Sequence, residues 1–365
     1  MELERAPFRA DHVGSLLRPP ELRAAHERSL KGDFPVHELR ELQDRCIREV
    51  IAMQEAIGLH SITDGEFRRS SFHSDFISKL DGASAGGSNA PGSGGQFGPR
   101  AFEVTARLKR SRPIELDGFV FLKNKTRRTA KQTIPSPTML LRGGRDAVSR
   151  EAYPDLAEFH ADIARVYREE LRDLGEAGCS YVQLDDTNFA YLCDPKLRAI
   201  FRGWGYDSPL QFARLINDVL AQRPAGMTVA IHLCRGNSAG QWAAEGPYEP
   251  IAEVLFNQVE VDAYFLEYDD ARSGGFEPLR FFPHASKKKV VLGLISSKHG
   301  GLEAKDALHR RIDEAARYVP LENLCLSPQC GFASTYRGNP LGEDEQRRKL
   351  ELLVELATEV WGSAR

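Results

Sequence analysis

No run of roughly eighteen apolar residues, the length needed to cross a bilayer, occurs in the sequence, and the opening Met1-Glu-Leu-Glu-Arg-Ala-Pro-Phe8 carries no apolar signal core. The expectation is a soluble, cytoplasmic chain with no membrane partner. An excess of charge of one sign is also missing. Lys and Arg number 49 against 52 Asp and Glu, for a net charge of -3, so there is no electrostatic reason to expect nucleic acid as a partner. Cysteine is sparse: six residues (46, 179, 193, 234, 325, 330) in 365, with no secretory signal, do not make a disulfide framework. Cys46, in a helical pattern, and Cys179, just before a strand, read as small buried hydrophobes. The glycines between Gly82 and Pro99 do not follow a strand and open a helix, which excludes a dinucleotide fingerprint. Neither an internal repeat nor an interdomain linker is visible, so residues 1–365 read as a single domain.

What is present is alternation. Short apolar runs predict eight strands at about 11–16, 60–66, 131–137, 179–186, 227–234, 262–268, 289–296 and 322–330. Between them, apolar residues at three- and four-residue spacing predict helices. Leu39, Leu42, Cys46, Val50, Met53 and Ile57 mark 38–57, stopped by Gly58; Leu156, Phe159, Ile163, Val166, Leu171 and Leu174 mark 155–177. Asp207-Ser-Pro-Leu210 opens another helix with a capping residue and a proline in its first turn, and further helices are expected at about 248–258, 302–317 and 343–361. Strand then helix, eight times, predicts a (β/α)8 TIM barrel, with a doubly wound sheet as the alternative. The second crossover carries an insertion at about 83–130: a glycine-rich loop, then a β-hairpin made from Phe102–Leu108 and Gly118–Leu122.

A barrel of this kind collects its functional groups at the C-terminal ends of its strands. The polar strand-end residues are Ser15, Asp64, Glu66, Asp185, Asp186, His232, Cys234, Glu267, Ser296 to His299, and Cys330. His232 and Cys234 are two apart on one strand, so their side chains share a face. With Cys330 and an oxygen from Glu267 they form a nitrogen, two-sulfur, one-oxygen set suited to tetrahedral zinc, with the oxygen as the exchangeable ligand. Zinc would ionise an incoming thiol at neutral pH. From the residues alone the packing reading stays open, since a strand-end cysteine is often only a small hydrophobe. Glu66 and Asp185, opening into the same mouth, would bind an ammonium group or act as acid and base. His12, His60, His73 and His284 read as framework or surface groups, and Lys287-Lys-Lys289 as a solvated turn.

Five segments carry a resemblance: Ile62-Thr-Asp-Gly-Glu-Phe-Arg-Arg69, Gln183-Leu-Asp-Asp186, His232-Leu-Cys234, Phe265-Leu-Glu267 and Ser327-Pro-Gln-Cys-Gly331. In this order the sequence resembles the catalytic C-terminal barrel of cobalamin-independent methionine synthases, and more closely their single-barrel relatives, over essentially its whole length. The resemblance implies a zinc site at His232, Cys234, Glu267 and Cys330. It implies that Ser15 holds the carboxylate of homocysteine while Glu66 and Asp185 hold its amine, and that the reaction is transfer of a methyl group to the thiol to give methionine. Two positions depart from the family pattern. Arg142 stands where the synthases carry a tryptophan associated with the pterin, and Lys298, with His299 beside it, stands where they carry a catalytic histidine. The N-terminal half that helps bind folate polyglutamate in the two-barrel enzymes has no counterpart. The acceptor half of the reaction therefore matches, whereas the donor is open among methyltetrahydrofolate, methylcobalamin or another methyl compound. Two other readings are alkyl transfer to a different thiol such as coenzyme M, and a zinc- or thiol-binding barrel without turnover.

Overall fold

The computed structural model describes residues 6–85, 102–237 and 239–365. In chain order these form α1 (Pro20–Leu30), α2 (Val36–Ile57), β1 (Ser61–Ile62), α3 (Ser74–Ile77), β2 (Asp81–Ala85), β3 (Phe102–Lys109), α4 (Leu116–Lys123), β4 (Thr129–Pro135), α5 (Leu156–Glu176), β5 (Tyr181–Asp186), α6 (Asn188–Tyr191), α7 (Pro195–Gly203), α8 (Pro209–Leu220), β6 (Thr228–Leu233), α9 (Glu249–Gln258), β7 (Ala263–Glu267), β8 (Lys289–Ile295), α10 (Lys305–Ala315), β9 (Leu324–Pro328) and α11 (Glu343–Trp361). Local chemistry accounts for the helix ends. The side chain of Asp155 accepts from the Ala157 N–H at the start of α5, and that of Asp194 accepts from Lys196 N–H ahead of α7, where Pro195 takes the first helical position. Gly58 closes α2 at φ 105°, a left-handed conformation that favours glycine.

Seven parallel strands form one curled sheet in the order β1, β4, β5, β6, β7, β8, β9, as a barrel built from strand–helix units requires. Because the strands run the same way, all their C-terminal ends open on one side. Inside, Tyr181, Ala230, Ala263, Phe265, Val291 and Cys325 pack with Val13, while the larger apolar core lies between the sheet and its helices.

Three expectations need correction. The expected strand at 11–16 is not one: the chain meets β9 through a parallel bridge one residue earlier, Ala10 with Leu326, and the segment then runs on beside the turn after β1, where the Leu16 N–H donates to Gly65 O at 3.1 Å. Side chains have taken its carbonyls. Lys131 Nζ donates to His12 O (2.6 Å), Gln183 Nε2 to Val13 O (2.6 Å) and Thr63 Oγ1 to Gly14 O (2.6 Å), so side-chain donors stand where a ladder's N–H groups would. Next, Phe102–Leu108 does not pair with Gly118–Leu122. β3 pairs antiparallel with β2, upstream of the glycine-rich stretch, and 118–122 falls within α4, where Phe119 and Leu122 at helical spacing are buried together. Most of the expected glycine-rich loop, 86–101, lies outside the described residues. Finally, the chain has helices that the apolar spacing did not announce, among them α1 and α7.

Candidate metal centre and thiol cavity

β6 ends at Leu233, so His232 lies inside the strand and Cys234 just past it, both turned inward. Glu267 is the last residue of β7, and Cys330 follows β9 by two residues. Ligand atoms of these four side chains all lie within 4.8 Å of one another, and all four are buried. The Cys234 and Cys330 sulfurs are 3.4 Å apart with both thiols free. Neither ring nitrogen of buried His232 makes a well-formed hydrogen bond among the described residues, the Phe265 backbone being its one weak polar neighbour. Desolvation, with help from the Lys131 charge, pushes that imidazole down to about 3, so it is neutral and a lone pair is available. The Cys234 thiol is held well above its ordinary range, first by its hydrogen bond with Cys330 and then by burial. A buried neutral imidazole without a well-formed hydrogen bond beside two touching thiols is a costly arrangement for packing alone. It fits a cation that would take all three donors, which favours the ligand reading over the packing one.

Glu267 is already occupied. The backbone N–H of Arg235 donates to its Oε1 at 3.0 Å, and Arg272 Nη2 donates to its Oε2. Burial raises this carboxyl while the Arg272 charge opposes the rise.

Ser15, Glu66, Asp185, His232, Cys234 and Cys330 line one small cavity together with Val13, Phe72 and Gly331. Asp64-Gly-Glu66 turns sharply after β1, with Gly65 at φ 67° and Glu66 itself at φ 61°, a strained conformation for a residue with a side chain. That turn aims Glu66 inward. Its Oε1 accepts from Thr133 Oγ1 at 2.7 Å and lies 3.4 Å from Arg69, whereas its Oε2 is buried and meets no donor among the described residues. Asp185 Oδ1 accepts from Gln183 Nε2 at 2.7 Å. Desolvation, and after it the neighbouring Glu66 charge, holds the Asp185 carboxyl well above the ordinary carboxylate range. Two buried carboxyls facing one cavity, one with an oxygen unmet, are an arrangement that a positive donor group could satisfy.

Lys298 and His299 do not line this cavity. The Lys298 Nζ sits between Asp269 Oδ2 (2.6 Å) and Asp270 Oδ2 (3.0 Å), against the Trp242 ring, and His299 is exposed. Arg142 is buried, donating from Nε to Asn188 Oδ1 (2.9 Å) and also to Thr187. Sequence reasoning missed Arg272, Asp269 and Asp270, although an Asp-Asp-x-Arg run just after a strand-end glutamate is a visible charge signal. It also missed Thr133, which donates to Glu66, and gave no role to Gln183, which donates to Asp185. Of the groups read as framework or surface, Cys46 and Cys179 are buried as expected, and buried His12 hydrogen-bonds Ser61 O at 3.2 Å.

Residues 8–359 match the family model described as the catalytic domain of cobalamin-independent synthase. The uncharacterised protein YxjH of Bacillus subtilis is 42% identical over 98% of this chain and 96% of its own length. A methionine synthase of Pyrococcus abyssi is 25% identical over 88% of this chain and 85% of its own. Among solved structures, the putative vitamin-B12 independent methionine synthase of Listeria monocytogenes superposes with a TM-score of 0.78 at 35% identity, covering 99% of this chain and 100% of that one.

Proposed function

The chain belongs to the cobalamin-independent synthase catalytic-domain family, and from that premise we propose that it is a zinc-dependent S-methyltransferase that converts homocysteine to methionine. One observation carries the reading: the Cys234 and Cys330 thiols and Glu66, whose buried Oε2 meets no donor among the described residues, line the same cavity. A substrate with a thiol at one end and an ammonium at the other satisfies both. His232, Cys234, Glu267 and Cys330 would hold zinc, which supplies a thiolate at neutral pH. Ser15 receives the substrate carboxylate, and Glu66 and Asp185 receive its ammonium. The thiolate sulfur attacks the methyl carbon of the donor, the bond from methyl to its carrier breaks, and the carrier leaves with the bonding pair. The proton that the departing carrier takes has to come from outside the thiol cavity, where both Lys298, paired with Asp269 and Asp270, and exposed His299 lie. A sulfonated thiol with no amine would leave two buried carboxyls facing an empty or repelled position, which is why an aminothiol is favoured.

The test is a donor screen on zinc-loaded protein with homocysteine and, in parallel, a thiol of the same length without the amine. Methionine should form with methyltetrahydrofolate, methylcobalamin or a simpler methyl compound, and a chelator should abolish it. Failure with every donor, together with equal binding of the two thiols, would sink the proposal.

A further inference from the structure

A carboxylate that leaves a metal inside a protein must go somewhere. Glu267 is fully buried, and an unpaired carboxylate there would be costly. The protein already has a place for it. Oε1 is met by the Arg235 N–H (3.0 Å) and Oε2 by the Arg272 guanidinium, whose side chain is only 3% exposed. Arg272 is itself fixed from the other side. Its Nη1 pairs with Asp269 Oδ1 at 3.0 Å and with Asp270, its backbone N–H donates to Asp270 Oδ1 at 3.0 Å, and its plane packs against Trp242 at 5.3 Å. Asp269 and Asp270 also hold Lys298, so an unbroken run of ion pairs leads from the metal ligand to the end of β8.

We propose that Arg272 is a positioning residue that competes with the metal for Glu267, making this glutamate the ligand that gives way when a substrate thiol arrives. This rests on the zinc–thiol reading above and adds to it the identity of the group that receives the displaced carboxylate. A Glu267 carboxylate not held by a metal would keep Arg272 as its charge partner and the Arg235 N–H as a donor. No buried charge is left alone, so the step is close to balanced. Among the described residues His232, Cys234 and Cys330 have no charged receptor of this kind: the imidazole nitrogens make no well-formed hydrogen bond, and each thiol has chiefly the other.

An orienting role and a competing role predict opposite signs. A group that merely orients a ligand strengthens metal binding, and its loss typically weakens affinity by about 10–100-fold. If Arg272 competes, its loss frees Glu267 for the metal. The full-length Arg272→Gln variant should therefore bind zinc about tenfold more tightly in competition with a chromophoric chelator, given the usual reach of such outer groups. With cobalt in place of zinc, the variant should need about tenfold more homocysteine than the wild type to shift the cobalt–thiolate absorption, the reciprocal of the same coupling. Arg272→Lys, which keeps the charge but cannot bridge Glu267 and Asp269 with one planar fork, should move both quantities in the same direction by less, and it carries the test if the glutamine variant does not fold. Weaker zinc binding in the variants, or a homocysteine titration matching the wild type, would overturn the role of Arg272 while leaving the proposed function standing. A wild-type cobalt spectrum that ignores homocysteine would overturn both.

Discussion

At Gly331 a hydrogen stands where any other residue would place a carbon 1.9 Å from the Oγ of Ser15. The backbone there is not in the left-handed region, so the glycine is required by the approach of Ser15 and not by its own dihedrals. Gly331→Ala should leave the fold in place, because the Ser15 hydroxyl can turn away, but it should remove that hydroxyl from the cavity. Loss of one hydrogen bond to a charged group, about 1.5–3 kcal/mol, corresponds to a KM for homocysteine raised roughly 10–100-fold with a smaller change in kcat. Steady-state kinetics beside a thermal melt would check it, and an unchanged KM would remove Ser15 from the binding site. Sequence reasoning reached Ser15, His232, Cys234, Glu267 and Cys330 because strand ends and a two-residue period are local properties. It did not reach Thr133, and it singled out the segments that hold Gly331 and Gln183 without giving those two residues a role. Thr133 and Gly331 act on Glu66 and Ser15, more than sixty positions away, which no local pattern records, whereas Gln183 meets Asp185 two residues on along the same strand.

The segment 11–16 shows how an expected strand is lost while its residues stay in the barrel. Its expected ladder is replaced by a buried polar knot on the barrel axis, in which Lys131 Nζ meets Asp11 Oδ1 at 3.1 Å, and Asp11 also accepts from Ser61 Oγ (2.7 Å) and Tyr181 OH (2.9 Å). Neither side of the ion pair reaches solvent. Lys131→Met would leave Asp11 charged and buried, at a cost of about 3–5 kcal/mol. The double variant Asp11→Asn with Lys131→Met should lose less than the single one, since the orphaned charge is gone. Urea unfolding of both variants measures the difference, and a double variant less stable than Lys131→Met would show that the knot contributes more than charge balance. The pairing of β3 was misjudged for a related reason. Apolar clustering at 119–122 is compatible with either period, and Phe119 and Leu122 took the helical one once β2 had claimed the free edge of β3. The long helices were legible because their apolar faces repeat over many turns; α1, with Leu22, Ala25 and His26 as its buried residues, offers too few repeats to stand out.

For the molecule as a whole, alternating strands and helices were enough to predict the barrel, because parallel strands need helical crossovers and each crossover leaves its own periodic trace. Global stability adds a property that no motif carries, its dependence on pH. His73 is buried, with its ring 4.5 Å from Phe72 and edge-on to Phe102 at 5.5 Å, and Ser71 Oγ lies 3.2 Å from its Nδ1. Desolvation, and after it the Arg142 charge, pushes it from the ordinary 6.5 down to about 3. With the folded value below the unfolded one, the unfolded chain takes up the proton first as the solution is acidified. The stability from keeping His73 neutral is thus complete above about pH 6.5 and is lost as the pH falls toward 3. Between pH 8 and pH 5 the loss amounts to about 2 kcal/mol for such a group. Buried acids raised by desolvation, Asp185, Asp186 and Glu170 among them, act with the opposite sign, since the folded state holds their protons more strongly. The wild-type profile is therefore a sum of opposing slopes, and only a difference isolates the imidazole. His73→Phe keeps a ring against Phe72 and Phe102 and removes the proton site. Its stability relative to the wild type should improve by about 2 kcal/mol between pH 8 and pH 5 in paired urea titrations. A difference that does not change with pH would mean that this imidazole is not kept neutral by its burial.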